Sequence, residues 1–482
     1  MTVKIYNTLT NTKEELTPVE EGKVKIYSCG PTVYDYFHIG NARAFIVPDI
    51  VKRYLEYKGY EVLHVLNFTD IDDKMINRAR EEGITVAELA AKFIQAYFED
   101  TDALNIKRAD VYPKATEHIS DMIELVKRLV EQDYAYEKDG DVYFRVAKFD
   151  EYGKLSNKKI EDLQAGSRVD VNDKKEDPLD FTLWKESKEG EPEWDSPWGQ
   201  GRPGWHIECS AMATKYLGER FDIHTGGVDL TFPHHENEIA QSEACCGHQV
   251  VKYWLHNGYI NIDGEKMSKS LGNFFTTRDI LEKYRAEVVR FFLISKHYRS
   301  PINFSEENME DAAKSLARLE NTIDRVDHLL KQDVTEGDLS GEALLELIAA
   351  KKEEFVAAMD NDFNTSLAIA SLHELAREVN KFIDQDDFVL TLEVKKALEE
   401  VDEVFTELGA EVLGIINPKE EAENDLVPDL VELLLETRSD LRAEGNYVMA
   451  DKIRDQLADL GVAVKDTPQG AEWKVIKEKS SD

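Results

Sequence analysis

The chain has 482 residues and a formal net charge of −37, from 96 Asp and Glu against 59 Lys and Arg. Its length suits roughly two to four domains. It has no apolar run long enough to span a membrane, and MTVKIYNTLTNTKEEL lacks the charged-then-apolar pattern of a leader, so a cytoplasmic protein without membrane contact is expected. The acidic balance argues against simple electrostatic binding of nucleic acid, where basic surface supplies most of the affinity. An RNA partner would need a locally basic or Mg²⁺-assisted site. Adaptation to a salty interior, where self-repulsion is screened, is the alternative to an ordinary acidic surface. Cys29, Cys209, Cys245 and Cys246 are too few and too scattered for a disulfide framework.

Residues 23–29, KVKIYSC, alternate and end in Cys29-Gly30-Pro31, a strand running into a loop. Ala42 to Phe45 and Asp49 to Leu55 form one amphipathic helix, stopped at Gly59-Tyr60. Glu61 to Phe68 reads as a second strand. Strand, loop, helix, strand is a βαβ unit and implies a parallel sheet with a nucleotide crevice at its strand ends. The stretch 86–131 is helical in pattern. Residues 137–203 read as short strands with a Gly/Pro/Trp-rich run, an insertion between the halves of the sheet domain. Parallel-sheet patterning resumes at Phe221-Asp222-Ile223-His224 and Tyr253-Trp254-Leu255-His256. From Ser305 the chain turns helical, with Met309, Ala313, Leu316, Leu319, Ile323, Val326 and Leu330 on one face. A second helical run covers 343–413. The end, 429–482, reads as two short helices and a small α/β cap. The expected fold class is therefore α/β: a Rossmann-like parallel-sheet catalytic domain over 1–300, split by the insertion at about 137–203, then a helical bundle over 301–414 and a small C-terminal α/β domain over 415–482.

His38-Ile39-Gly40-Asn41 falls where the first strand's loop meets its helix. Unpaired N–H groups and the positive dipole end there suit phosphate. Gly40 lets a flat base approach the backbone, and His38 and Asn41 can donate to phosphate oxygens. Alone, the tetrad reads more simply as an incidental helix start. Lys266-Met267-Ser268-Lys269-Ser270 alone reads equally as a solvated lysine loop. In this order, the two describe an ATP site that activates a carboxylate: Lys266 and Lys269 would stabilise charge on the departing pyrophosphate. Gly226-Gly227-Val228-Asp229 lies between them, with Asp229 placed to accept from ribose hydroxyls. His234 and Glu238 share one face of a helix and can share one ion. With Cys29 and Cys209 they make a plausible metal set, although on spacing alone a His–Glu pair and two buried thiols is the simpler reading. His206, His235 and the Cys245-Cys246 pair are not expected as ligands: neighbouring cysteines rarely reach one small ion, and His235 lies about 100° around a helix from His234.

The lysine signature and the tetrad, with Asn41 in place of a final histidine, resemble the class I aminoacyl-tRNA synthetases. Cys29 to Asp35, Asn67 to Lys74, Gly204 to Met212, Phe232 to Glu238 and Lys266 to Asn273 are similar to the cysteinyl-tRNA synthetase family, over essentially the whole chain. The resemblance implies that Cys29, Cys209, His234 and Glu238 hold one Zn²⁺ facing the amino-acid pocket, that ATP acts with Mg²⁺, and that Thr69, Trp205 and His224 line the substrate pocket. Zinc with an open position takes a thiolate; serine is a far poorer ligand, and valine and alanine offer nothing. Such discrimination needs no editing domain, and the insertion looks too small for one. The partners implied are cysteine, ATP and tRNA(Cys), in a monomer. Lys158-Lys159 and Lys174-Lys175 are candidate contacts to the acceptor strand; Arg438, Arg442, Lys452, Arg454 and Trp473 are candidates at the anticodon end. An alternative is a related ligase that passes activated cysteine to an amino-sugar, as in mycothiol synthesis. The long region after 305 favours tRNA, because a small acceptor needs no such arm. A non-catalytic RNA-binding paralogue is disfavoured by the intact His38, Lys266 and Lys269.

Overall fold

The computed structural model describes residues 2–159, 174–262, 265–266, 275–416, 426–443, 445–467 and 470–475. It falls into two compact units, 1–417 and 418–482.

At the centre of the first unit is a four-stranded parallel sheet. After the short paired strands β1 (Lys4–Asn7) and β2 (Thr12–Glu15), strand β3 (Lys23–Ser28) is followed by helix α1 (Ile39–Tyr57) and strand β4 (Glu61–Leu66). Strand β10 (Phe221–Gly227) pairs on the other side of β3, and β11 (Val251–Asn257) lies beyond it, giving the order β11-β10-β3-β4. Alternate residues of one strand feed different cores. Ile26 and Leu255 join one, Tyr27 and Trp254 the other, so the sheet is covered on both faces, as parallel sheets are. Connections leave β3 and β10 in opposite directions, which opens a crevice at their C-terminal ends. Cys29, Asn67 and Gly226 stand at that edge. A Cβ on Gly30 would come within 1.6 Å of the Asn67 carbonyl oxygen, so only glycine lets the ends of β3 and β4 approach this closely.

Helix α1 starts with a reciprocal cap. His38 Nδ1 accepts from the Asn41 N–H at 3.2 Å, and the Asn41 side chain accepts from the His38 N–H at 3.3 Å. After helix α2 (Asp73–Glu82), the helical pattern over 86–131 is interrupted: helix α3 runs over Val86–Ala103 and helix α4 over Ile119–Glu131. Between them, backbone bridges Val65↔Val111 and Phe68↔Lys114 draw the chain alongside the edge of β4. Asn105, at φ 53°, turns it out of the helix.

The strands β5 (Ala135–Lys138), β6 (Asp141–Phe144), β7 (Phe181–Glu186), β8 (Trp194–Ser196) and β9 (Gly199–Pro203) form a separate antiparallel sheet, where the insertion is expected. After β11, the short strand Ile260–Ile262 pairs with Glu265–Lys266 and Ile302–Phe304. Four helices follow, at Glu306–Leu330, Glu342–Asp360, Thr365–Ile383 and Leu392–Val404. Met309, Leu316, Leu319, Ile323 and Val326 are buried along the first of them, and Ala313 and Leu330 partly so. A buried charge cluster ties this region to α1. Arg290 donates to the carbonyls of Leu413 at 2.8 Å, Leu104 at 3.1 Å and Asn105 at 3.0 Å, and pairs with Asp49, which also holds Arg53.

The second unit holds helices Leu426–Ala443 and Tyr447–Asp459 and the antiparallel strands Val462–Thr467 and Gly470–Val475. Trp473 packs against its small core of Val431, Leu435, Leu457 and Val462.

Candidate metal and nucleotide site

Four donors from three places in the sequence meet at the C-terminal edge of the parallel sheet. Cys29 leaves β3. Cys209 lies in helix α5 (Trp205–Leu217), and Glu238 in the first turn of helix α6 (Glu236–Cys246), just after His234. The thiols of Cys29 and Cys209 are 3.7 Å apart, Cys209 Sγ is 3.6 Å from His234 Nε2, His234 Nε2 is 3.0 Å from Glu238 Oε1, and that oxygen is 3.5 Å from Cys29 Sγ. This is a donor set able to enclose one metal ion.

Electrostatics bind the cluster together. Burial works against the charge of Glu238, yet His224 and His234 hold its carboxyl well below the usual range. Burial likewise opposes a charged His234, but Glu238 and Cys209 prevail and raise it to about 10. Of the two thiols, Cys209 ionises first: the hydrogen bond with Cys29 lowers it to about 6, whereas burial pushes Cys29 up.

A second ring of histidines backs these donors. His206 Nδ1 meets His234 Nδ1 at 2.8 Å, which turns Nε2 of His234 toward Cys209. His235, excluded by its angle on a regular helix, does reach the cluster. Its Nε2 lies 3.3 Å from Cys29 Sγ, and Cys29, His224, His235 and Glu238 form an alternative donor group. The helical angle misled because Glu238 lies four residues after His234 and three after His235, so both rings flank it, at 3.0 Å and 3.9 Å from Oε1. His235 Nδ1 meets His256 Nε2 at 2.8 Å. Sequence reasoning passed over His256, although its signal was present: it lies at the end of β11, in register with Gly226.

Of the residues expected in the substrate pocket, Trp205 is 45% exposed, its ring 4.4 Å from that of His234 at the mouth of the site. His224 is buried, stacked on Trp254 and 2.9 Å from Glu238 Oε2, so it faces the carboxylate from behind. Thr69 is buried and donates to Glu208 at 2.7 Å. Glu208 was not anticipated; burial raises its carboxyl well above the usual range, and Thr69 opposes that rise. Trp205, His206 and Glu208 also line a cleft of about 420 Å³ between the parallel sheet and the insertion, with Lys175, Lys185 and Arg202 on its rim.

On the nucleotide side, Nδ1 of His38 accepts from the helix start, so the proton of a neutral ring sits on Nε2. Gly40 follows in the first turn. Asp229 is exposed in the turn after β10. A Cβ on Gly227 would lie 2.5 Å from Asp229 Oδ1, so glycine allows the carboxylate to fold back there. Lys266 pairs through its backbone with Asn261; Lys269 lies outside the described residues. The chain after the signature returns to the tetrad, with Thr276 bridged to His38 and the Thr277 N–H donating to Phe37 O at 2.9 Å.

A parallel sheet of this order, with a capped His-Ile-Gly-Asn turn at its switch point, defines a class I aminoacyl-tRNA synthetase. The structure is similar to methionyl-tRNA synthetase from Mycobacterium tuberculosis in complex with methionyl-adenylate (TM-score 0.61, 16% identity, 86% of this chain and 94% of that one). It is also similar to a putative arginyl-tRNA synthetase from Campylobacter jejuni (TM-score 0.58, 14% identity, 82% and 93%). These likenesses carry the fold alone. Family models match residues 15–314 as a tRNA synthetases class I (C) catalytic domain, 354–417 as a DALR domain and 424–473 as a cysteinyl-tRNA ligase anticodon binding domain. Cysteine–tRNA ligases of Caldicellulosiruptor saccharolyticus and Clostridioides difficile are each 54% identical, over 98% of this chain and their whole length, and that of Thermococcus onnurineus is 51% identical over 99% of this chain. The chain belongs to the cysteine–tRNA ligase family.

Proposed function

We propose that the donor cluster of Cys29, Cys209, His234 and Glu238 holds one Zn²⁺ and that the chain uses it to select cysteine for ligation to tRNA(Cys). The observation that carries this is the pair of thiols 3.7 Å apart, with His234 Nε2 at 3.6 Å from Cys209. With bonds of about 2.3 Å to sulfur and 2.0–2.1 Å to nitrogen, a tetrahedral zinc site has a sulfur–sulfur edge of about 3.8 Å and a sulfur–nitrogen edge of about 3.6 Å. When bound, the ion supplies an electrophile for the substrate's thiolate, a contact that serine, valine and alanine do not match.

In the first step a cysteine carboxylate oxygen bonds to the α-phosphorus of Mg²⁺-bound ATP, and the bond from that phosphorus to the β-phosphate bridging oxygen breaks. His38 donates from Nε2 to phosphate oxygens beside Gly40 and Asn41, Asp229 accepts from the ribose, and Lys266 and Lys269 take the charge of the leaving pyrophosphate. Trp205 closes the pocket mouth, and Thr69 and His224 shape its walls. In the second step a terminal hydroxyl of the tRNA attacks the carbonyl and AMP departs. The catalytic domain is 1–300 with its insertion at 137–203, the bundle over 301–414 contacts the tRNA stem, and 415–482 reads the anticodon. On family grounds the enzyme is a cytoplasmic monomer; among the described residues no helix is long and apolar enough to cross a membrane. An amino-sugar acceptor is disfavoured, because the match to an anticodon-binding family over 424–473 has no use in such a ligase.

The test is cysteine-dependent pyrophosphate exchange and tRNA charging by the wild type, with zinc content measured for Cys209→Ala. Charging together with loss of metal in the variant is expected. Exchange without charging would move the acceptor to a small molecule. Unchanged metal content would remove Cys209 from the ligand set.

A further inference from the structure

Helix α6 carries Glu238 in its first turn and ends at Cys246, about 12 Å away at the helical rise. At this far end stand a thiol, an imidazole and a carboxylate outside the site described above. Gly247 caps the helix in the left-handed region at φ 72°, its N–H on Glu243 O at 2.8 Å, and the chain folds back so that His248 comes beside Cys246. Glu219, in the loop between α5 and β10, approaches both. One ligand atom from each of Glu219, Cys246 and His248 lies within 4.8 Å of the others.

Two features suit this group to a cation. The last carbonyls of a helix carry its negative dipole end. And His248 Nδ1 contacts the carbonyl of Gln249 at 3.2 Å. A carbonyl only accepts, so Nδ1 holds the proton and Nε2 keeps its lone pair, the form in which imidazole binds metal. Arg128 stands 3.8 Å from Glu219 Oε1, held also to the Cys245 carbonyl at 3.4 Å. At that distance the pair is an ion contact without a hydrogen bond, so a bound cation has to draw the carboxylate away from the guanidinium. Cys245 is buried toward the core and is not needed as a ligand.

We propose that Cys246, His248 and Glu219 form a second metal site, separate from the cluster at the sheet edge and taking a divalent transition ion such as zinc or cobalt. Thiolate and imidazole select such ions over magnesium or calcium. Three protein ligands on the surface leave coordination positions to water, so this ion exchanges readily, unlike one enclosed by four donors of which three are buried.

Cobalt(II) titration of the full-length protein tests this, read through the thiolate-to-cobalt charge-transfer band, which acidic surface groups do not produce. The wild type is expected to show two thiolate-bound equivalents, the weaker removed by brief chelation. Cys246→Ser loses the weaker equivalent, and His248→Ala, at an exposed residue, weakens it at least about tenfold. Both keep cysteine-dependent pyrophosphate exchange. Cys209→Ala, aimed at the sheet-edge cluster, keeps the weaker equivalent, which separates the two sites. A single thiolate-bound equivalent in the wild type, or a weaker equivalent unchanged in both Cys246→Ser and His248→Ala, would overturn the proposal.

Discussion

Gly226→Ala places one methyl group at the switch point of the sheet, and its consequence can be worked from distances. The new Cβ would lie 2.6 Å from His235 Cε1, 3.0 Å from His235 Nε2 and 3.1 Å from Leu230 Cδ1. Ordinary contact begins at 3.4 Å, so the imidazole must move by about 0.8 Å. His235 is fully buried, its Nδ1 is held by His256 at 2.8 Å, and its ring packs on Trp254 at 5.1 Å, so it has no slack on the far side. The Nε2 that sits 3.3 Å from Cys29 Sγ must shift with the ring. Overpacking of this kind costs about 1–3 kcal/mol. Misplacing a reacting group by about 1 Å costs on the order of 10²-fold in rate. The expected outcome is a folded variant with a modestly lower melting temperature and a loss of cysteine-dependent pyrophosphate exchange on the order of 10²-fold, larger than its stability loss explains. Exchange within twofold of wild type would refute the argument, because the ring could then not be as constrained as its contacts imply.

Lys269→Ala should reduce pyrophosphate exchange on the order of 10²–10³-fold while leaving cysteine affinity, measured by calorimetry, nearly unchanged. Arg290→Met removes a buried cation from Asp49, whose burial is otherwise offset by Arg290 and Arg53 so that its carboxyl stays low. Urea unfolding at pH 7 should show a loss of about 3–5 kcal/mol. With its partner gone, the Asp49 carboxyl rises, so the variant's deficit should shrink as pH falls toward 4, because the variant's Asp49 then takes up a proton and sheds its uncompensated charge, while the wild-type carboxyl, held low, keeps its pair; a deficit independent of pH would contradict this. Deleting 418–482 keeps Leu413, whose carbonyl Arg290 holds, and should damage tRNA charging far more than pyrophosphate exchange. If the net charge of −37 reflects a salty interior, the melting temperature should climb with KCl as the screening length contracts from about 10 Å at 0.1 M to about 3 Å at 1 M; a flat curve would assign the acid to an ordinary surface.

The βαβ unit was legible because β3, α1 and β4 are contiguous and locally patterned, although α1, expected as amphipathic, is buried on every face from Phe45 to Leu55, because the sheet and the later helices cover it. The helix after Ser305 was legible for the same reason, with its buried residues at three- and four-residue spacing. The donor cluster was not legible from spacing, since Cys29 and Cys209 are far apart in the chain and only strand order brings them together; family resemblance supplied what periodicity could not. The tetrad also concealed a role. Asn41, met as a departure from the signature, reciprocates the His38 cap through its side-chain oxygen, while its backbone N–H settles which histidine nitrogen carries the proton. His235 shows the opposite failure, where the angle between neighbouring histidines was weighed but the three-residue step from His235 to Glu238, which also shares a helix face, was not. Both lie at the strand ends, where the sheet's regular hydrogen bonding stops and side chains begin to serve as caps and ligands. There, a sequence period carries least information and the functional chemistry is most concentrated. The buried, partnered histidines at that edge follow from the same fact: polar rings that would be costly inside a sheet become satisfiable where strands end and donors can converge.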